Sequence, residues 1–122
     1  MILIYSQLPL DKAQIYKQRD FLKERLMMFL VDDDSFIFST ESNLTLLKES
    51  VINHKVSLFY ANSIRDTSFT VSELSDLIRY LLKNGNNGIG CKFRFETEKL
   101  YINRDNIDSV ESIISEYINS KR

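Results

Sequence analysis

The chain is poor in the residues that do most protein chemistry. Its 122 residues include one cysteine (Cys91), one histidine (His54), one proline (Pro9) and no tryptophan. A lone cysteine excludes an intrachain disulfide and has no resolving partner, and a chain without such cross-links fits a reducing compartment, so a cytoplasmic location is expected. A lone histidine excludes His pairs and His-rich metal sites, and no metal or other cofactor is expected. Glycine occurs only as Gly85, Gly88 and Gly90, with no Lys-Ser or Lys-Thr after them, which removes the P-loop. Charge of one sign is missing too: 16 Lys and Arg against 17 Asp and Glu leave a net charge of −1. Such a balance provides no bulk field for nucleic acid, which is an unexpected partner here. No apolar run approaches the ~18 residues of a membrane span. Met1 to Tyr5 is apolar but lacks a basic leader region, so it reads as a strand and not as a signal peptide.

What remains is a well-specified folding chain. Hydrophobic residues make up 43% and charged residues 27%, the balance of a folded domain able to bury a core without disulfide or metal. Asparagine, isoleucine, serine and lysine are abundant while alanine occurs only as Ala13 and Ala61, a bias of AT-rich coding that points to a bacterial or viral source.

The pattern alternates strands and helices. Met1 to Tyr5 reads as a strand buried on both faces. Asp11 and Gln14 then form a capping box, Leu10 is placed to staple onto Ile15, and Ile15, Leu22, Leu26 and Phe29 carry a helix to about Val31. That helix is expected to end against Asp32-Asp33-Asp34, three carboxylates at the negative end of its dipole. Ser35 to Ser39 is a second strand; Leu44, Leu47 and Val51 mark a second helix ending near Asn53 and His54; Lys55 to Asn62 alternates as a third strand. Thr70 and Glu73 cap a third helix with the stripe Leu74, Leu77, Ile78 and Leu81, and Asn84-Gly85 supplies a left-handed stop. Lys92 to Glu96 and Lys99 to Asn103 form a β-hairpin with Phe93 and Phe95 inside. A last helix starts at Asp105 or Asp108, buries Ile107, Val110, Ile114 and Tyr117, and frays at Ser120-Lys121-Arg122. The order β-α-β-α-β-α-β-β-α has no linker or repeat, so residues 1–122 are expected to form a single α/β domain: a mixed sheet flanked by helices, with parallel crossovers closed by an antiparallel ribbon.

This element order resembles that of the thioredoxin fold over nearly the whole chain, with a small Rossmann-like or flavodoxin-like sheet as the competing arrangement. Where that family places paired cysteines this chain has Ser39-Thr40-Glu41-Ser42-Asn43, and where it keeps a cis-proline the chain has Gly88-Ile89-Gly90-Cys91. The resemblance therefore implies at most a redox-inactive, thioredoxin-like adaptor.

No catalytic set emerges. Cys91 reads as a small buried residue, His54 as a helix cap, and the Asn84–Gly90 loop as a C-cap followed by an entry turn. Lys92 and Arg94 share one strand face, with Lys99 and Arg104 as extensions of a solvated basic patch. The acidic trio Asp32, Asp33 and Asp34, together with Tyr60 and Tyr101, is the candidate partner-binding set, and Tyr16 and Tyr80 are further aromatic anchors. Ser39, Thr40, Glu41, Asn62 and Arg65 are the candidate ligand-binding set, since they fall at strand ends, where open α/β sheets bind ligands. The leading expectation is a small cytosolic inhibitor or immunity-type protein that neutralises one partner, such as a basic nuclease toxin. Its competitors are a ligand-binding or enzymatic α/β domain and homo-oligomerisation through the edge of the hairpin.

Overall fold

A computed structural model describes residues 1–7, 11–26, 32–67 and 69–119. Its elements are β1 (Ile2–Tyr5), α1 (Lys12–Arg25), β2 (Phe36–Ser39), α2 (Leu44–Asn53), β3 (Leu58–Ala61), α3 (Val71–Asn84), β4 (Lys92–Phe95), β5 (Leu100–Ile102) and α4 (Val110–Asn119). The fold is α/β with a mixed five-stranded sheet, and among the described residues strands and helices follow one another as given.

Local chemistry sets the helix starts. Asp11 Oδ1 accepts from the Gln14 amide at 2.8 Å while Gln14 Oε1 accepts from the Asp11 amide at 3.0 Å. Thr70 and Glu73 repeat the device on α3, and Asn43 caps α2 through the Leu46 amide. Each box satisfies amide donors that the first helical turn leaves without partners.

Several boundaries differ from expectation. The cap of α1 is Leu26, and Asp33–Ser35 forms a 3₁₀ turn leading into β2. Leu10, Phe29 and Val31, and the tail Ser120-Lys121-Arg122, lie outside the described residues. The third strand is shorter than its alternating pattern because Lys55 turns the chain at φ +52°. Asn84-Gly85 is not left-handed: Gly85 is extended, and the positive φ values fall on Asn86, Asn87, Gly88 and Gly90. The last helix is preceded by a 3₁₀ segment, Arg104–Ser109, capped by Asn103, and its α-helical part begins at Val110; Ile107 and Tyr117 are partly buried.

Strand order is β2-β1-β3-β4-β5, parallel except for the β4/β5 hairpin. The chain thus moves one way across the sheet from β1 to β2 and the other way from β3 to β4. Right-handed crossovers with opposite directions of travel place α1 on one face and α2 and α3 on the other. The core divides accordingly. Leu3, Tyr5, Phe59, Phe93 and Phe95 pack against Leu47, Leu74, Leu77, Leu81 and Ile114 of the three-helix side, whereas Ile2, Ile4, Phe36 and Tyr60 meet Leu22 of α1. Phe93 and Phe95 are fully buried, and ring contacts join Tyr5 to Phe59 (5.6 Å) and Phe59 to Phe93 (5.1 Å). Each such side chain contributes roughly 1.5–3 kcal/mol by leaving water, so most of the apolar stabilisation lies on the three-helix side.

Candidate functional site

The α1 face is the unusual one, because parallel strands ordinarily need both faces covered. Leu22 is the only buried side chain of α1. The helix is also held by charge on two flanks. Toward β2, Asp33 accepts from Lys23 Nζ at 3.1 Å and pairs with Arg19 Nε at 3.4 Å. Toward β4, Glu96 accepts from Arg25 Nε and Arg94 Nε, each at 2.9 Å. Burial opposes the Glu96 charge, but the two guanidinium groups outweigh it and hold the carboxyl below its ordinary range. Burial, together with the nearby Glu96 carboxylate, pushes the Tyr60 hydroxyl up to about 12. Ile4, Tyr60, Arg94 and Tyr101 stand in register across four strands on this face. Its β1 and β3 members are buried, while Lys92 and Tyr101 are exposed, so α1 leaves the β4/β5 part of the face open.

Between α1 and the end of β3 lies an open pocket of about 400 Å³ lined by Gln14, Lys17, Gln18, Phe21, Tyr60 and Asn62. Its volume falls in the range that holds small molecules. Strand order reverses between β1 and β3, and crevices at the carboxyl ends of strands beside such a reversal are where open α/β sheets bind ligands. Gln18 Oε1 is buried without a hydrogen-bond donor among the described residues.

The sequence-derived residues distribute unevenly around these features. Asn62 lines the pocket, whereas Ser39, Thr40 and Glu41 lie elsewhere: Ser39 Oγ accepts from the Glu41 amide, and the Glu41 carbonyl accepts from the Tyr5 hydroxyl on the three-helix side. Arg65 donates to the Ile118 carbonyl at 3.3 Å and braces α4. The partner-binding set does not converge either. Asp32 and Asp34 are exposed beside β2, Tyr101 is exposed on β5 at the opposite edge, and Asp33 is engaged with α1. Tyr60 is 1% exposed, which corrects its reading as an interface anchor: it sits in the sheet beneath α1. Tyr16 and Tyr80 are exposed.

Arg104 does not extend the basic patch. Its guanidinium donates to the carbonyls of Leu82 (2.9 Å), Lys83 (3.3 Å) and Gly88, closing the end of α3. Cys91 is fully buried, and burial pushes its thiol up to about 12, the state of an inert structural cysteine. His54 caps α2, its Nδ1 lying 2.8 Å from the Ser50 carbonyl oxygen. The β5 edge is three residues long, and the Tyr101 carbonyl accepts from the Asn106 side-chain carboxamide, so little of the edge is free for strand addition. Among the described residues no group of three His, Cys, Asp or Glu side chains could hold a metal ion, and no helix is long and apolar enough to cross a membrane.

Sequence reasoning missed Gln14, Lys17, Gln18 and Phe21. Their signal was present as i, i+3, i+4, i+7 spacing, one flank of a helix, but three polar residues beside one aromatic read as solvated surface. Comparison with known proteins adds no likeness: no family model matches the chain, and no curated protein or solved structure matches it.

Proposed function

We propose that this chain is a non-catalytic binding protein, an inhibitor or immunity-type protein that neutralises one protein partner by docking on it. The observation that supports this reading is the uncovered β4/β5 part of the α1 face, where the exposed Tyr101 pairs across the strands with Arg94 and the exposed Lys92 lies two residues before it. Aromatic and arginine side chains on such a platform are the residue types that anchor interfaces. The exposed Asp32 and Asp34 at the opposite edge offer a second contact, suited to a basic partner such as a nuclease. Affinity isolation from the cells that encode the protein tests the reading. The parent chain is expected to retain one stoichiometric protein that a Lys92→Glu, Tyr101→Ala variant loses. Recovery of no partner, or equal recovery by the variant, overturns it.

A second reading is favoured by the pocket beside the strand-order reversal. In it the chain is a small-ligand-binding α/β domain whose site includes Asn62.

A further inference from the structure

We propose that the bare strip of sheet beside α1 receives an amphipathic α-helix of the partner protein, one that sets an apolar stripe on Phe21 and Tyr101 and carboxylates against Lys92 and Arg94. This deepens the docking reading and rests on it. Width argues for a helix. On this face α1 lies over β2, β1 and β3, whose Phe36, Ile4 and Tyr60 are buried with Leu22. That leaves β4 and β5, where Lys92 and Tyr101 are exposed. Two strands spaced about 4.8 Å apart present a strip about 10 Å wide, the diameter of one helix with its side chains. Length agrees with width. The open pocket of about 400 Å³ and a second of about 290 Å³ share Phe21, and their α1 residues run from Gln14 to Arg25, about three turns of helix. Phe21 and Tyr101, 49% and 42% exposed, are the apolar anchors of this groove.

Charge selects an acidic helix. The α1 flank brings Lys17 and Arg25 to the groove, and the strip brings Lys92 and Arg94. Two carboxylates, Glu24 and Glu96, stand among them, but Glu96 is 13% exposed and already engaged by Arg25 and Arg94, so the surface that a partner meets is net positive. Carboxylates on the incoming helix complement it. A second copy of this chain is a poor occupant, because a two-fold contact through the strip would bring Lys92 and Arg94 of both copies together. An extended segment is disfavoured as well. It would add to the β5 edge, which is three residues long and has its Tyr101 carbonyl engaged.

Photo-crosslinking with the full chain, in the cells that encode it, tests the proposal. Tyr101→p-benzoylphenylalanine places a photoreactive ring on the strip, and Leu46→p-benzoylphenylalanine, at an exposed position of α2, is the control. Position 101 is expected to capture one segment of another protein, with apolar residues recurring at i, i+3, i+4 and i+7 and Asp or Glu on the flanks of that stripe. Position 46 is expected not to capture it. Lys92→Glu is then expected to weaken binding of the purified captured protein about fivefold or more, and exchanging the facing acidic residue of the captured segment for lysine is expected to restore most of that loss. Such rescue separates a charge contact from a folding defect in the variant. A captured segment without helical periodicity, equal capture from position 46, or a charge exchange that restores nothing overturns the acidic helix and leaves the docking reading standing. Capture of a second copy of this chain, or no capture from position 101, overturns both.

Discussion

Glu96 is the residue through which the hairpin holds α1. Its side chain is 13% exposed and accepts from two arginines, one of them 71 positions away in sequence. A carboxyl held below its unfolded value, about 4.3 for Glu, adds stability that is present above that pH and is lost as pH falls through the folded value. Glu96→Gln is therefore expected to destabilise the protein by about 1 kcal/mol at pH 7, a modest figure because Arg25 is half exposed. The gap between variant and parent should close as pH falls below the ordinary Glu value of about 4.3 and through the lowered folded value. Urea unfolding at several pH values measures this, and a pH-independent gap would show that the charge contributes nothing. Tyr60 depends on the same cluster. Its phenol is held neutral well above the ordinary tyrosine range, because burial and the Glu96 carboxylate both oppose ionisation.

At the scale of elements, the turn joining α3 to β4 is built from left-handed positions of unequal tolerance. Gly88, at φ +85°, has open space where a Cβ would go, whereas at Gly90, φ +105°, a Cβ would run into the Leu82 carbonyl oxygen and crowd the Arg104 guanidinium. Gly88→Ala should thus carry mainly the left-handed backbone penalty, about 1 kcal/mol. Gly90→Ala adds a steric clash at the carbonyl that Arg104 closes, and a loss of about 3 kcal/mol or more is expected. Equal denaturation midpoints for the two variants would refute this account of the turn. The capping boxes of α1 and α3 were legible from four-residue patterns, since each satisfies backbone donors within a single turn. The turn after α3 was misread because Asn84-Gly85 carries the usual stop signal, yet the Gly85 and Cys91 amides both donate to the Leu81 carbonyl. That pairing commits Gly85 to an extended backbone and moves the left-handed residues downstream.

For the whole molecule, the unequal faces predict unequal stability. Three helices cover one side of the sheet with a large apolar cluster, while α1 contributes one buried leucine and three ion pairs, to Asp33 and Glu96, to the other. Local openings begin where few apolar contacts resist them. In hydrogen exchange under native conditions, the amides of α1 are expected to lose protection well before those of α3. Leu22→Ala, a loss of about 2–5 kcal/mol by cavity formation, should widen that difference. Equal protection of the two helices would mean that the α1 face is as firmly held as the other.

Periodicity, caps and turn residues were sufficient for the α/β class, the hairpin and the burial of Phe93 and Phe95, because each depends on neighbours a few residues apart or on strict alternation along a strand. The five-stranded order, the separation of α1 from the other helices, and the convergence of Arg25, Tyr60, Arg94 and Glu96 were decided only by tertiary structure. The candidate pocket belongs to the same class: Asn62 was identifiable as a strand-end residue, but its α1 neighbours came into place only when the crossover brought that helix over β3. The physical reason is one of range. Hydrogen bonds within a turn and side-chain alternation are encoded locally, whereas pairing between strands and the docking of one polar helix depend on contacts between residues far apart in the chain, whose sum leaves no periodic mark in either segment.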